Sequence, residues 1–218
     1  MTPIPNALRD DRARLRHAFR LAMIFAAVLW TIKTVEIIFH LDLVHYGVYP
    51  LQPGGLTGIL TGPLVHGSWS HLFANTLPVV ILATALFYGY PRSAKPVFTT
   101  VWIGSGLGVW LFARESYHIG ASGLTFGIMF FLFVIGMLRW DKRAIALSMI
   151  IFFLYGSMIW GVFPSEPGIS YESHFFGAVT GVLLAFILRN RDPMPEEKKY
   201  SWEGEEDDDS DDSMDQSS

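Results

Sequence analysis

The chain contains no cysteine. Disulfides, thiolate metal sites and a cysteine nucleophile are therefore excluded, and the redox compartment stays undetermined. Charge is scarce too, at 17% of 218 residues, and the acidic residues gather at one end. Residues 196–218 hold 11 Asp/Glu and 2 Lys, a net −9, so the formal charge of −4 hides +5 on the rest. There is no H-E-x-x-H pattern, which removes one familiar zinc arrangement. The first apolar run lacks a small-residue cleavage site and is followed by five more, so it reads as retained and not as a signal peptide.

What is present is mostly apolar. Hydrophobic residues make up 51% and aromatics 15%, and the mean hydropathy is +0.34, too high for an ordinary soluble domain of this size. Six runs are long enough to cross a bilayer, at about 21–39, 72–90, 96–113, 122–138, 144–162 and 174–189. The fold class expected is an all-α polytopic membrane protein, a bundle of six transmembrane helices. It divides into a basic arm (1–20), the six-span core (21–190) and an acidic tail (191–218) expected to be disordered.

The arm carries Arg9, Arg12, Arg14, Arg16 and Arg20. Arg92 and Lys95 follow the second span, Arg139, Lys142 and Arg143 the fourth, and Arg189, Arg191, Lys198 and Lys199 the sixth, while the opposite loops hold only Arg114. The excess of Lys and Arg marks the cytoplasmic side, so both termini are expected inside and spans two, four and six begin at the outer face. The arrangement suits a bacterial inner membrane, with the arm against anionic head groups. Lys33 and Glu36, three apart on the first span, are expected to pair with each other. Residues 41–71, rich in Gly, Pro and aromatics, read as an interfacial, Ω-like loop between spans one and two.

Polar residues collect at three outer span ends. In IGASGLTFG (119–127), Ser122 stands where a polar loop gives way to an apolar run. A hydroxyl there sits among free backbone N–H groups and the positive helix end, which suits a nucleophile whose attack creates an oxyanion; the plain alternative is a simple N-cap. In YESHFFGAVTG (171–181), His174, Gly177 and Gly181 share one helix face, and Gly123 and Gly127 repeat that spacing on span four. Close packing of these small residues would bring His174 to Ser122 as a general base, or would merely pack two helices. In HGSWSHLFAN (66–75), His71 and Asn75 lie one turn apart as candidate oxyanion donors, with His66 anchoring the loop. No acid is placed to meet His174, since Glu172 falls on another side of its helix. A Ser–His dyad is expected, its imidazole oriented by packing against Phe126.

Taken together these residues resemble the rhomboid family of intramembrane serine proteases over about 21–190. The resemblance rests on GASG around Ser122, with Gly120 and Gly123, on His71-x-x-x-Asn75, on His66 upstream, and on His174-x-x-Gly177-x-x-x-Gly181. It implies that Ser122 is the nucleophile, that His174 is general base and then acid, and that His71, Asn75 and the Ser122 backbone N–H stabilise the oxyanion. It also implies that span five gates lateral entry of a substrate. Members often have tyrosine one turn after the serine, where this chain has Phe126, and a Trp-Arg pair in the first loop, absent from residues 41–65.

Such a protein needs no cofactor and no metal, and its expected partners are the lipid bilayer and the transmembrane helices of other membrane proteins, not nucleic acid. Hydrolysis inside a membrane requires a water-filled depression, which polar span ends would hold open from the outer side. Two other functions compete. One is a catalytically silent relative that escorts client helices. The other is a transporter of metal or solute, prompted by six of seven histidines (40, 45, 66, 71, 118, 174) on the outer half.

Overall fold

Helix dominates because the apolar runs are long, and the glycines and the one proline inside them are outweighed by good helix formers and by packing. The computed structural model describes residues 6–164 and 168–193, so Glu166 and the acidic tail from residue 194 onward, with its expected disorder, lie outside the described residues. Helix α1 (Asn6–Ile38) contains neither Gly nor Pro, so residues 6–20 of the basic arm and the first span form one continuous rod. It stops at His40, whose φ of 51° is left-handed. Within α1 the Lys33 ammonium lies 3.0 Å from the Glu36 carboxylate, both buried, so each charge meets its partner inside the helix's own surface.

The connection that follows is more regular than its Gly- and Pro-rich sequence led us to expect. It folds into three 3₁₀ turns (Val44–Tyr46, Pro53–Leu56, Gly62–Leu64) and a one-turn helix, α2 (Gly58–Thr61). Pro pre-sets the φ of such turns, and glycine permits close approach: a Cβ on Gly58 would strike the backbone of Gly47. Indole N–H groups fasten this loop to the bundle. Trp102 donates to the Ile59 carbonyl at 3.1 Å and Trp110 to the Gln52 carbonyl at 3.0 Å. The loop thus has anchors without the Trp-Arg pair.

The remaining helices are α3 (Trp69–Gly89), α4 (Ala94–Phe112), α5 (Ser122–Arg139), α6 (Lys142–Tyr155) and α7 (Tyr171–Leu188). Five stretches are long and apolar enough to cross a membrane: Asp10–Ile38, Trp69–Gly89, Ser122–Arg139, Lys142–Val162 and Tyr171–Leu188. Helix α4, expected as the third span, is diluted by Gly104, Ser105, Gly106, Gly108 and two threonines and is not among them, yet it packs against α5 and α7 as a member of the bundle. The chain is an all-helical membrane protein.

Helix α5 is the axis. It touches α3, α4, α6 and α7, and 67% of its span is buried, against 17% for the α6 span. Its tightest neighbour is α7. A Cβ on Gly177 would run into the Gly123 carbonyl oxygen, and one on Gly181 into the Gly127 carbonyl oxygen, so the two backbones touch. The fifth span departs from expectation. Its α-helix ends at Tyr155 and continues as 3₁₀ turns over Gly156–Val162, and tighter turns of this kind leave their last carbonyls without intrahelical partners.

Candidate active site

Gly123 with Gly177, and Gly127 with Gly181 one turn further along, fix how close α5 and α7 come, and that closeness decides what happens at the start of both helices. Ser122 is the first residue of α5 and His174 lies in the first turn of α7. Their side chains meet, with Ser122 Oγ 2.8 Å from His174 Nε2. The hydroxyl caps no helix N–H, so the simple N-cap reading of Ser122 does not describe this geometry.

The other imidazole nitrogen settles the tautomer. His174 Nδ1 is 2.8 Å from the carbonyl oxygen of Gly161, in the 3₁₀ turns after α6. A carbonyl only accepts, so Nδ1 carries the hydrogen and, in the neutral ring, Nε2 presents its lone pair to the Ser122 O–H. The ring plane is fixed separately. Phe126 stacks on it, with centroids 4.0 Å apart and planes 6° from parallel. A ring without a hydroxyl suffices for that contact. Sequence reasoning named Phe126 but missed Gly161, and no side-chain signal exists for a backbone carbonyl.

On the other side of Ser122, Ser68 caps α3 by accepting from the His71 N–H at 3.1 Å. Asn75 donates one amide hydrogen to the His71 carbonyl at 3.0 Å, leaving its second amide hydrogen uncommitted. The His71 imidazole makes no hydrogen bond among the described residues. It lies against Gly120, whose φ of +106° and lack of a Cβ are both required, since a Cβ would meet His71 Nε2 at 2.8 Å. His66 is buried behind it, ring centroids 5.0 Å apart, with Nε2 3.5 Å from the Ala121 N–H. Burial, followed by the charge His71 would carry, lowers the His66 pKa to about 4. His66 therefore backs the Gly120–Ala121 turn and does not line the cavity in front of Ser122.

That cavity measures about 760 Å³ and is lined by Ser122, His174, His71, Asn75 and Phe126 together with residues of the 114–119 loop. Helix-interior Pro78, which also lines it, has no N–H to give the carbonyl of Ala74, another lining residue. A space this large and this polar holds water. Beside it His118, absent from the expected site, is 2.6 Å from Ser170 Oγ and 3.0 Å from the Arg114 carbonyl, and burial depresses its pKa. Glu172 points away from His174, toward Arg114 Nε at 3.6 Å. Of the remaining polar ties of histidines, His45 meets Asp42, His118 meets Ser170 and His174 meets Ser122, while the His66 and His71 rings lie edge to face.

Comparison with known proteins gives the family of the chain. The rhomboid domain profile matches residues 53–191. The chain belongs to the rhomboid family. It is 33% identical over 173 residues to an uncharacterized protein of Mycobacterium tuberculosis, covering 75% of this chain and 72% of that one. Similarity extends to RHOMBOID-like protein 2 of Arabidopsis thaliana, 26% identical across 64% of this chain and 42% of the plant protein. YdcA of Bacillus subtilis, provisionally named a rhomboid protease, is 27% identical across 59% of this chain and 65% of its own. Within this rhomboid protein the matched region takes in Ser122, His174, His71 and Asn75.

Proposed function

We propose that this rhomboid protein is an intramembrane serine endopeptidase that cleaves transmembrane helices of other membrane proteins. The observation that carries the reading is the fixed tautomer of His174: Nδ1–H held by the Gly161 carbonyl, Nε2 accepting from Ser122. Rhomboid family members are generally serine proteases of the membrane, and the geometry provides a route for that chemistry in this chain.

Ser122 Oγ attacks the scissile carbonyl carbon while its proton passes to His174 Nε2. The oxyanion formed is met by the Ser122 backbone N–H at the α5 N-terminus, the free amide hydrogen of Asn75 and the His71 ring. His174 then protonates the leaving amine, and an ester to Ser122 remains. Water from the cavity, deprotonated by the same nitrogen, hydrolyses that ester. A helical peptide bond is concealed by its own hydrogen bonds, so substrates with Gly or other poor helix formers near the outer end of the span are favoured. The excess of Lys and Arg at the opposite end of the bundle supports a reading in which both termini lie in the cytoplasm and the cavity faces the outer side.

The test treats detergent-solubilised protein with a fluorescent fluorophosphonate and, in parallel, with a model transmembrane substrate. The native chain should label and cleave, and Ser122→Ala and His174→Ala should do neither while unfolding at an unchanged temperature. A folded native chain that neither labels nor cleaves would overturn the protease and leave the escort of client helices on the same fold.

A further inference from the structure

The far end of α5 borders a second cavity of about 150 Å³, framed by α1, the α3–α4 turn, the start of α6 and the segment after α7. One water needs only ~10–15 Å³, so a polyatomic ligand fits. The 18 residues of α5 separate it from Ser122 by roughly 25 Å at 1.5 Å per residue. Arg14, Arg139 and Arg143 line it against Asp141 and Asp192, so cations exceed anions by one.

The two signs differ in what they are already doing. Asp192 accepts from the backbone N–H groups of Arg92 and Ser93 at 2.7 and 3.2 Å, tying the chain after α7 to the start of α4. Asp141 accepts from the Ala144 N–H at 2.8 Å, capping α6, and from Arg139 Nε at 3.0 Å. Arg139 completes its ties with the Asp192 and Pro193 carbonyls. Both carboxylates and one arginine are thus committed to structure.

Two donors are not. Arg143 is held flat on the Tyr88 ring, 4.5 Å from its centroid, yet its Nη2 is buried with no partner among the described residues. Tyr90 is 2% exposed, its ring set edge-on against Phe131, and its hydroxyl likewise has no partner. Burial pushes the Tyr90 pKa up to about 12, so the group stays an O–H donor. Buried donors left unsatisfied are costly, and surplus N–H and O–H donors beside one excess positive charge call for an acceptor-rich anion.

We infer that this cavity binds the phosphate of an anionic phospholipid headgroup from the leaflet at the basic end of the bundle. Just past Arg14, α1 exposes Leu15, Phe19 and Met23 in the direction of the membrane interior, an apolar strip for the acyl chains of a lipid whose headgroup enters the cavity. Inorganic phosphate shares the headgroup's chemistry but has no use for that strip.

Binding is read by thermal shift and native mass spectrometry on the full-length protein in neutral detergent, with short-chain phosphatidylglycerol, short-chain phosphatidylcholine and inorganic phosphate as separate probes. Phosphatidylglycerol should raise the unfolding temperature saturably and remain as a single adduct, and phosphatidylcholine should do neither. Arg143→Gln and Tyr90→Phe should each weaken phosphatidylglycerol binding roughly tenfold. Tyr90→Phe removes a hydroxyl that no group among the described residues uses, so the fold survives the change and the reading does not depend on a damaged protein. Equal shifts with both lipids, or variants that bind like the native chain, would overturn the site. A shift produced as well by inorganic phosphate alone would overturn the lipid as its occupant.

Discussion

The two flanks of Ser122 are built on opposite plans. On the α7 side everything is fixed before any ligand arrives: backbones in contact at Gly123–Gly177 and Gly127–Gly181, and His174 held by Gly161, Phe126 and Ser122 at once. On the α3 side the polar groups face the cavity with donors unused, the His71 ring unbonded and one Asn75 amide hydrogen free. The difference teaches how the chemistry divides. A general base has to be aimed in advance, because proton transfer tolerates little misplacement, whereas oxyanion donors must be left open for a charge that exists only during reaction.

Disturbing the first flank should cost the fold itself. Gly181→Leu drives a branched side chain into the Gly127 carbonyl, and neither helix can yield without releasing Val101 and Ala185 from the core. A loss of about 4 kcal/mol or more is expected, enough to abolish a cooperative thermal transition in detergent. Phe153→Leu on the poorly buried α6, 77% exposed, should change that transition by no more than ~0.5 kcal/mol. Comparable losses at the two positions would refute the close crossing of α5 and α7.

Disturbing the second flank should instead cost rate. Asn75→Ala and His71→Ala remove side-chain donors whose one hydrogen bond among the described residues is that of Asn75 to the His71 carbonyl, so kcat should fall by roughly 10²–10³ for each while the unfolding temperature moves little. Turnover of a model substrate, with fluorophosphonate labelling as a second readout, separates this from misfolding. A fall in stability that matches the fall in rate would mean that the two residues only hold α3.

Much of this contrast is visible in sequence and some is not. Glycines at i and i+4 on two spans pointed to a close crossing because nothing else excludes a side chain so simply, and the order of GASG, His71-x-x-x-Asn75 and His174-x-x-Gly177 carried the family resemblance. The expected spans fall on the observed helices, although α4 is too dilute in apolar residues to qualify alone. Gly161 was hidden, because its contribution is a carbonyl freed when an α-helix tightens into 3₁₀ turns, a change that Gly156 and Gly161 permit without announcing. His118 was hidden differently. Its partners Ser170 and Arg114 come from another helix start and from its own loop, so only the packed structure unites them. The first loop looked irregular because Gly and Pro signal turns without saying whether those turns repeat.

A pH-dependent effect sharpens the comparison from behind the open flank. His66 is 1% exposed, and its pKa of about 4 lies below the ordinary 6.5 chiefly because burial disfavours its charged form. The charges of His71 and of Lys33 on α1 act in the same direction, and the Leu64 carbonyl against them. The folded chain therefore binds fewer protons here than the unfolded chain between those two values, so stability rises with pH across that window. The contribution is complete above pH 6.5 and is lost as pH falls toward 4, by on the order of 3 kcal/mol. Replacing the residue by His66→Gln keeps an acceptor for the Ala121 N–H and removes the titration. Denaturation in detergent at pH 7 and pH 5 should show a steep drop for the native chain and a shallower one for the variant, the residue of slope coming from His118, whose pKa burial also depresses. Equal drops would mean that the protonation of His66 is not what destabilises the folded chain in that window, and that the ring behind the open flank is not held in its neutral form by burial.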